Sequence, residues 1–327
     1  MTDAVFPISG NLEGMPQDSQ IGDAKSRVPE TERAVLLIDC PDQRGLVARV
    51  VVLLYSQGAN ILHAEQHQDH ELGQFFMRVE WAQESGSGSI GAGTTAEPRV
   101  RDVISSFARD FAVLAEELKM RWQLYRAHQR TRVAIFCSQY LHCVADLLHR
   151  SSSGELPCEI VVIVSNHREV EKLAAFHGIR FEYIPVTPAT RAEAEATQLA
   201  LLRSLNVELI VLARYMQILT ERFVDRYPAA IINVHHSFLP AFIGARPYHA
   251  AHARGVKLIG ATSHYVTTAL DDGPIIEQEV IRISHRDQVE DLVARGRDLE
   301  RIVLSRAVRW HLEHRILCYG NKTIVFD

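Results

Sequence analysis

Apolar and polar residues alternate with strand or helix periodicity in two blocks, which indicates that the chain folds as two units. In the first unit, residues 33–122, the periodic segments follow the order strand, helix, strand, strand, helix. These segments cover residues 34–40, 46–57, 60–68, 73–81 and 100–120. Gly58 directly follows the first helical segment, which is the usual place for a glycine that ends a helix. The order predicts a small α+β domain that ends near Met120.

In the second unit, residues 131–327, strand-type segments alternate with helical ones. The strand-type segments cover residues 132–136, 159–165, 180–184, 208–213, 231–235, 260–266 and 275–283, and the helical ones cover 141–149, 169–177, 192–205 and 289–311. Such alternation predicts parallel βαβ units in an open, doubly wound sheet. Ligands of such sheets bind beyond the carboxyl ends of the strands, so we expect the chemistry just after Ala213 and around Asn233 to His235.

Composition excludes several classes of protein. The chain of 327 residues has 47% apolar residues and a net charge of −5, which argues against global disorder and against a nucleic-acid partner. Its apolar runs are far shorter than the roughly 18 residues of a membrane span, and it begins with no signal-peptide pattern. The five cysteines form no Cys-x-x-Cys pair. We therefore expect a cytoplasmic protein with reduced thiols, no membrane partner and a flexible tail over residues 1–32.

Two patterns that suggest a cofactor or a metal lack the context they require. Gly86 to Gly91 has the G-x-G-x-x-G spacing, but the residues that follow start no helix to receive a pyrophosphate. We interpret residues 85–98 as a flexible loop. His249 and His252 have helical spacing, but no acidic residue lies at the spacing of a zinc site. The sequence therefore predicts no metal and no cofactor.

Asn233-Val-His235 is the sharpest candidate for catalysis. Side chains of a strand alternate between its faces, so Asn233 and His235 point the same way at a strand end. An amide and an imidazole together can stabilise the oxyanion of a carbonyl under attack. Asp271, in the turn that follows the strand of residues 260–266, can supply a carboxylate that accepts a proton from water and holds the imidazole charged.

Four segments in this order resemble the formyltransferases that use formyltetrahydrofolate. They are residues 233–235 (NVH), 237–240 (SFLP), 260–266 (GATSHYV) and 270–276 (LDDGPII). The resemblance implies that Asn233, His235 and Asp271 form the catalytic trio. It also implies a folate pocket made by the segment after Ala213 together with two later residues. These are Arg214, Tyr215, Met216, Gln217, Ile218, Leu219, His264 and Gly273.

Three details favour one branch of that family. The first unit resembles an ACT domain, a sensor of small ligands that often pairs between subunits, through residues 40–46 (CPDQRGL) and 58–61 (GANI). The loop of residues 137–143 lacks the glycines with which glycinamide ribonucleotide formyltransferases hold phosphate. Residues 235–248 are similar to those of formyltetrahydrofolate deformylases. A lysine is usual in this family at position 139, where this chain has Gln139.

The resemblance implies hydrolysis of 10-formyltetrahydrofolate to tetrahydrofolate and formate, which links the protein to purine synthesis. It also implies a homo-oligomer and an amino-acid effector bound by the ACT-like domain at Asp42, Gly45, Leu46, Asn60 and Ile61. Two alternatives stay open. One is formyl transfer to an amine acceptor such as glycinamide ribonucleotide. The other is an amino-acid-responsive binding protein without catalysis.

Overall fold

A computed structural model describes residues 31–84, 103–240 and 247–327. The first unit contains β1 (Thr31–Pro41), α1 (Leu46–Ser56), β2 (Asn60–Asp69), β3 (Gln74–Glu84), α2 (Val103–Glu117) and β4 (Arg121–Arg126). β1 begins two residues inside the segment that the sequence assigns to a tail. The rest of that segment and the predicted loop 85–98, with its glycine motif, lie outside the described residues.

The four strands form an antiparallel sheet in the order β2-β3-β1-β4. The two helices cover one face, where Trp81, Phe107 and Phe111 are fully buried. Gly58 ends α1 in the left-handed conformation with φ of 77°, as predicted. The sequence pattern predicts that this unit ends near Met120 and does not predict β4, although Arg121 to Arg126 does alternate polar and apolar residues. Six residues are too few for a clear periodic signal beside a long helix.

The second unit is a seven-stranded sheet with helices on both faces. Its strands are β5 (Thr131–Cys137), β6 (Cys158–Ser165), β7 (Phe181–Tyr183), β8 (Leu209–Ala213), β9 (Ile231–His235), β10 (Leu258–Tyr265) and β11 (Ile275–Arg282). Its helices are α3 (His142–Ser152), α4 (Glu171–Phe176), α5 (Arg191–Ser204), α6 (Glu221–Val224), α7 (Pro247–Arg254) and α8 (Val289–Leu312). Across the described residues, no helix combines the length and the apolar character needed to cross a bilayer.

The sheet order is β11-β10-β9-β8-β5-β6-β7. Within the run β9-β8-β5-β6-β7 every neighbouring pair of strands is parallel. This confirms the predicted α/β class with a mostly parallel sheet. β10 runs antiparallel to β9, with Thr262 opposite His235 and His264 opposite Asn233. Residues opposite each other in an antiparallel pair point to the same face. The register therefore collects these four side chains on one side of the sheet.

A C-terminal hairpin, which the sequence analysis did not predict, joins the two units. It consists of β12 (Ile316–Tyr319) and β13 (Lys322–Val325). Leu317 of the hairpin and Phe326 just after it pack with Leu37 and Phe76 of the first sheet in a buried apolar cluster. Arg78 of β3 donates to the backbone carbonyls of Glu313 and His314 at the end of α8. The first domain thus packs directly against the second.

Two histidines lie in this contact region. The His314 ring stacks on Tyr125 of β4, with ring centroids 3.6 Å apart. The His311 ring shares a hydrogen bond of 2.7 Å with the hydroxyl of Tyr265 in β10. Burial lowers the pKa of His311 to about 4 and that of His314 to about 3. Both rings are therefore neutral in the native protein near neutral pH.

We expect the free energy of unfolding to fall as the pH falls from about 6.5, the usual pKa of histidine, towards the two native pKa values. In that range the unfolded chain binds protons at His311 and His314 that the native chain does not bind. The double variant His311→Gln, His314→Phe removes both titrations, so its stability should depend less on pH. Urea unfolding at several pH values measures the difference. His70→Gln, at an exposed turn, is the control and should leave the pH dependence of wild type unchanged.

Candidate active site

Asn233 and His235 lie at the carboxyl end of β9, and their side chains are on the same face of the strand, as predicted. The Nδ1 atom of His235 lies 3.2 Å from Oδ2 of Asp271. An ionised carboxylate can only accept, so Nδ1–H of His235 donates to Asp271. The structure therefore brings the three residues of the predicted catalytic trio together.

His264 lies next to two members of the trio, Asn233 and Asp271. Its Nδ1 atom lies 2.9 Å from the carbonyl oxygen of Tyr265 and must carry the proton of that hydrogen bond. Its Nε2 atom lies 3.2 Å from Nδ2 of Asn233 and 3.7 Å from Oδ1 of Asp271. In the neutral ring Nε2 accepts one N–H of the Asn233 amide, which leaves the other amide N–H for a ligand. The resemblance implies a place for His264 in the folate pocket, which stays a prediction, and the geometry shows that His264 also orients the amide of Asn233.

Asp271 reaches the histidines because of an unusual turn after β10. Its backbone has φ of 54°, in the left-handed region that aspartate tolerates better than most residues. The backbone N–H of Tyr265 donates to the carbonyl of Pro274 at 2.9 Å, which closes the turn. A Cβ atom on Gly273 would lie 1.8 Å from the carbonyl oxygen of Tyr265. Gly273 therefore allows the close approach of backbone that holds Asp271 in place.

The electrostatics of the trio keep Asp271 ionised. The hydrogen bond from Nδ1–H of His235 is the largest cause that lowers the pKa of Asp271 below its usual value, and together with the nearby His264 ring it outweighs the rise that burial causes. The negative charge of Asp271 lies beside the His235 ring, with Oδ2 3.2 Å from Nδ1. The Nε2 atom of His235 is buried and has no hydrogen-bond partner among the described residues. A buried polar atom without a partner is costly, so this atom is available to a ligand.

The segment after β8 divides into interior and exposed residues. Arg214 is buried and points to Glu300 of α8, and Tyr215 is buried and accepts a hydrogen bond of 3.0 Å from Gln198. Met216 and Ile218 are about half exposed, with 48% and 56% of their surface accessible. Gln217 and Leu219 are partly buried. Of the predicted folate residues, Met216, Gln217 and Ile218 can face a ligand, whereas Arg214 and Tyr215 support the loop from inside.

A second cluster of polar side chains lies between α3 and α8 and was not foreseen from the sequence. His142, Cys143 and Glu300 bring possible ligand atoms within 4.8 Å of one another. Burial, and next the charge of Glu300, raises the pKa of the Cys143 thiol well above its usual value, so the thiol keeps its proton. Arg214 adds a positive charge 3.5 Å from Glu300. A protonated thiol and an adjacent guanidinium are unsuited to a cation.

The residues predicted for an effector do not form one site within the chain. Asp42, Gly45 and Leu46 line a hollow of about 470 Å³ together with Gln66 and Gln68 of β2. Asn60 and Ile61 begin β2 at its opposite end and do not line the hollow. The glycines that mark this motif flank α1, and a helix of 11 residues is roughly 16 Å long. The two ACT-like sequence segments, residues 40–46 and 58–61, therefore lie at the two ends of α1 and do not line one pocket.

Comparison with known protein families agrees with this two-domain arrangement. A family model described as Formyl transferase matches residues 131–308, and one described as ACT domain matches residues 34–80. The fold and the site thus define a formyltransferase-fold protein with an N-terminal ACT domain.

Relatives identify the branch. A formyltetrahydrofolate deformylase of Synechocystis is 50% identical and covers 90% of this chain and 98% of its own length. The crystal structure of a formyltetrahydrofolate deformylase from Pseudomonas syringae is 43% identical and covers 92% of this chain and 96% of its own, with a TM-score of 0.82. Glycinamide ribonucleotide transformylase 1 from Symbiobacterium toebii is 29% identical and covers 63% of this chain and 98% of its own, with a TM-score of 0.58. The chain belongs to the formyltetrahydrofolate deformylase family.

We expect Gly273→Ala to lower kcat by about 10²-fold, because the new methyl group displaces the turn that holds Asp271. The rate of product formation at saturating substrate measures the effect, and circular dichroism confirms that the variant is folded. Gly154→Ala is the control, since Gly154 has a φ of +82° but no atom near the added Cβ, whereas at Gly273 the added Cβ meets the backbone of Tyr265. It should lose some stability and keep its kcat. A Gly273→Ala enzyme with wild-type kcat would contradict this account of the turn.

Proposed function

We propose that this protein hydrolyses 10-formyltetrahydrofolate to tetrahydrofolate and formate. The observation that carries the proposal is the cluster at the carboxyl end of β9, where His235 contacts Asp271 and Asn233 lies on the same face, held by His264, in a chain 50% identical to a deformylase. The exposed apolar side chains of Met216 and Ile218, after the neighbouring β8, suit the flat ring system of a folate.

The first step is the attack of water on the formyl carbon. The Asn233 amide N–H that His264 does not use and the Nε2–H of a charged His235 both donate to the oxyanion as it forms. Asp271 accepts a proton from the attacking water. Its lowered pKa makes it a weak base, but the water becomes strongly acidic as its oxygen bonds to carbon. Oxyanion stabilisation and proton removal therefore act together.

The second step is the collapse of the tetrahedral intermediate. The C–O bond regains its double-bond character, and the bond between the formyl carbon and the folate nitrogen breaks. Asp271 returns its proton to the departing nitrogen, and formic acid loses its remaining acidic proton to solvent. Water is the only co-substrate in this scheme, and we propose that no metal or cofactor takes part. In the cell the reaction would balance the formylfolate pool in the cytoplasm and supply formate for purine synthesis.

We further propose that the ACT domain binds an amino-acid effector and pairs with a second copy of the chain. The hollow beside Asp42, Gly45 and Leu46 is lined by polar Gln66 and Gln68, whose amides suit a ligand with an ammonium and a carboxylate group. The direct packing of this domain on the second one offers a route from effector to catalysis.

Incubation of the full chain with 10-formyltetrahydrofolate and no acceptor tests the hydrolase proposal. We expect equal amounts of tetrahydrofolate and formate, at a rate that glycinamide ribonucleotide does not change. Turnover that requires the ribonucleotide would make the protein a transferase instead.

Repeating the assay with glycine or methionine tests the effector. If no turnover occurs with or without them, the alternative of a binding protein replaces the hydrolase.

Substitutions in the trio test the assigned roles. Asn233→Ala removes an oxyanion donor and should lower kcat on the order of 10²-fold. Asp271→Asn removes the proton acceptor and should lower kcat about 10²- to 10⁴-fold. Asp272→Asn is the matched control, because Asp272 is exposed beside Asp271, and it should keep the wild-type kcat. A loss below about threefold in Asn233→Ala would remove Asn233 from the mechanism.

A further inference from the structure

The topology of the second sheet marks one crevice as the natural place for a second substrate. The chain starts the sheet at β5, continues to β6 and β7 on one side, and then returns to β8 and β9 on the other side. β5 and β8 are therefore neighbours whose following loops turn in opposite directions. In open α/β sheets such a switch point opens a crevice at the carboxyl ends of the strands, where ligands bind.

In this protein the chain's own side chains occupy that crevice. Ser138, directly after β5, is buried, accepts the backbone N–H of Met216 at 3.0 Å and donates to Asn166 at 2.7 Å. The Tyr140 ring lies outside this contact, with the Arg214 and Arg297 guanidinium groups 5.2 and 5.7 Å from its centre. The loops after β5, β6 and β8 are thus tied together over the switch point.

A buried carboxylate anchors the arrangement from below. Glu300 of α8 is only 1% exposed, and it accepts hydrogen bonds from Nε2 of His142 at 2.7 Å and from the Tyr248 hydroxyl at 2.8 Å. Arg214 completes the set with an ion pair of 3.5 Å. Burial raises the pKa of Glu300, but the His142 hydrogen bond and the Arg214 charge outweigh it and leave the pKa below its usual value. The carboxylate is ionised and fully surrounded, so it has no capacity left for a ligand.

The anchored cluster adjoins the catalytic histidine. The His235 ring lies 5.2 Å from that of His236, and the His236 ring lies 6.1 Å from that of Tyr248. Tyr248 reaches Glu300 because α8 has glycine at position 296, where a Cβ atom would lie 2.1 Å from the tyrosine hydroxyl. An acceptor that entered through the crevice would have to displace this cluster to reach the formyl group beside His235.

We propose that Tyr140 and His142, held by Arg214, Tyr248 and Glu300, form an acceptor-excluding plug that leaves water as the only nucleophile. The inference rests on the proposed hydrolysis and adds the residues that determine its nucleophile. A primary amine on the same trio would form a carbon–nitrogen bond to the formyl carbon, and the bond to the folate nitrogen would break. The amine would give up one proton and the folate nitrogen would gain one. The trio itself does not discriminate, so the discrimination must come from access.

The test measures how the formyl group partitions between water and an added amine. The double variant Tyr140→Ala, His142→Ala opens the crevice and leaves Glu300 paired with Tyr248 and Arg214. Each enzyme receives 10-formyltetrahydrofolate with glycinamide ribonucleotide or the smaller glycinamide, and formate and formylated amine are both quantified. We expect the wild type to release formate only. The double variant should raise the ratio of formylated amine to formate roughly tenfold or more above the background.

The matched control is Tyr183→Ala. Tyr183 ends β7 at the same edge of the sheet, is 40% exposed against 39% for Tyr140, and lies beneath Arg168 at 4.4 Å. It lies away from the switch point, so its loss should leave the partition ratio at the wild-type value. If the double variant does not fold, the single variant Tyr140→Ala, which removes only a partly exposed ring, carries the same expectation.

Two results would contradict the proposal of an acceptor-excluding plug. One is a wild-type enzyme that already formylates either amine as well as the variants do. The other is a folded variant that hydrolyses its substrate while its partition ratio stays at the wild-type value. The partition ratio is independent of the total rate, so a merely structural loss of activity does not change it. Failure of the proposed function is distinguished from both, because it appears as absent wild-type turnover without an amine.

Discussion

The antiparallel register between β9 and β10 is the constraint on which the catalytic site depends. It sets His264 opposite Asn233, so that a single face of two neighbouring strands carries the amide, the imidazole of His235 and the imidazole that orients the amide. A shift by one residue would turn all of these side chains to the opposite face. The turn after β10 then has to bring a carboxylate back over the same face. Gly273 makes this return feasible, because its lack of a Cβ allows the turn to touch the backbone of Tyr265.

Tyr265 belongs to both the candidate active site and the contact between the domains. Its backbone carbonyl accepts from His264 and its N–H closes the Asp271 turn, while its hydroxyl reaches His311 on the opposite face of the sheet. Three residues beyond His311, the His314 ring stacks on Tyr125 of the ACT domain. A displacement of the first domain would therefore also shift β10, the strand that carries His264. This chain of contacts connects the ACT domain to the strand that carries His264.

The two carboxylates, Asp271 and Glu300, differ in what their contacts leave open to a ligand. Asp271 is ionised and partly accessible, and its contacts leave Nε2 of His235 without a partner for the substrate to use. Glu300 is ionised and enclosed by His142, Tyr248 and Arg214, so that it binds only the protein itself. A buried carboxylate whose hydrogen bonds are all made within the protein holds its neighbours in one arrangement, whereas an imidazole nitrogen without a partner can bind a ligand. In the proposed mechanism the same sheet edge admits a formyl group and closes the path of an acceptor.

Local patterns in the sequence determined the fold class and the order of most elements, and they singled out the three residues that we propose for catalysis. Strand alternation alone put Asn233 and His235 on one face, and the end of β9 followed from the rule for parallel sheets. Short-range patterns could not show β4 or the C-terminal hairpin, because short strands carry little periodic signal and pair with distant partners. They also could not show which way a loop side chain turns, so Arg214 and Tyr215 were expected at the ligand and lie in the interior. The contacts of Glu300 with His142 and Tyr248 span 158 and 52 residues, and only the packing of α8 against α3 and α7 brings them together.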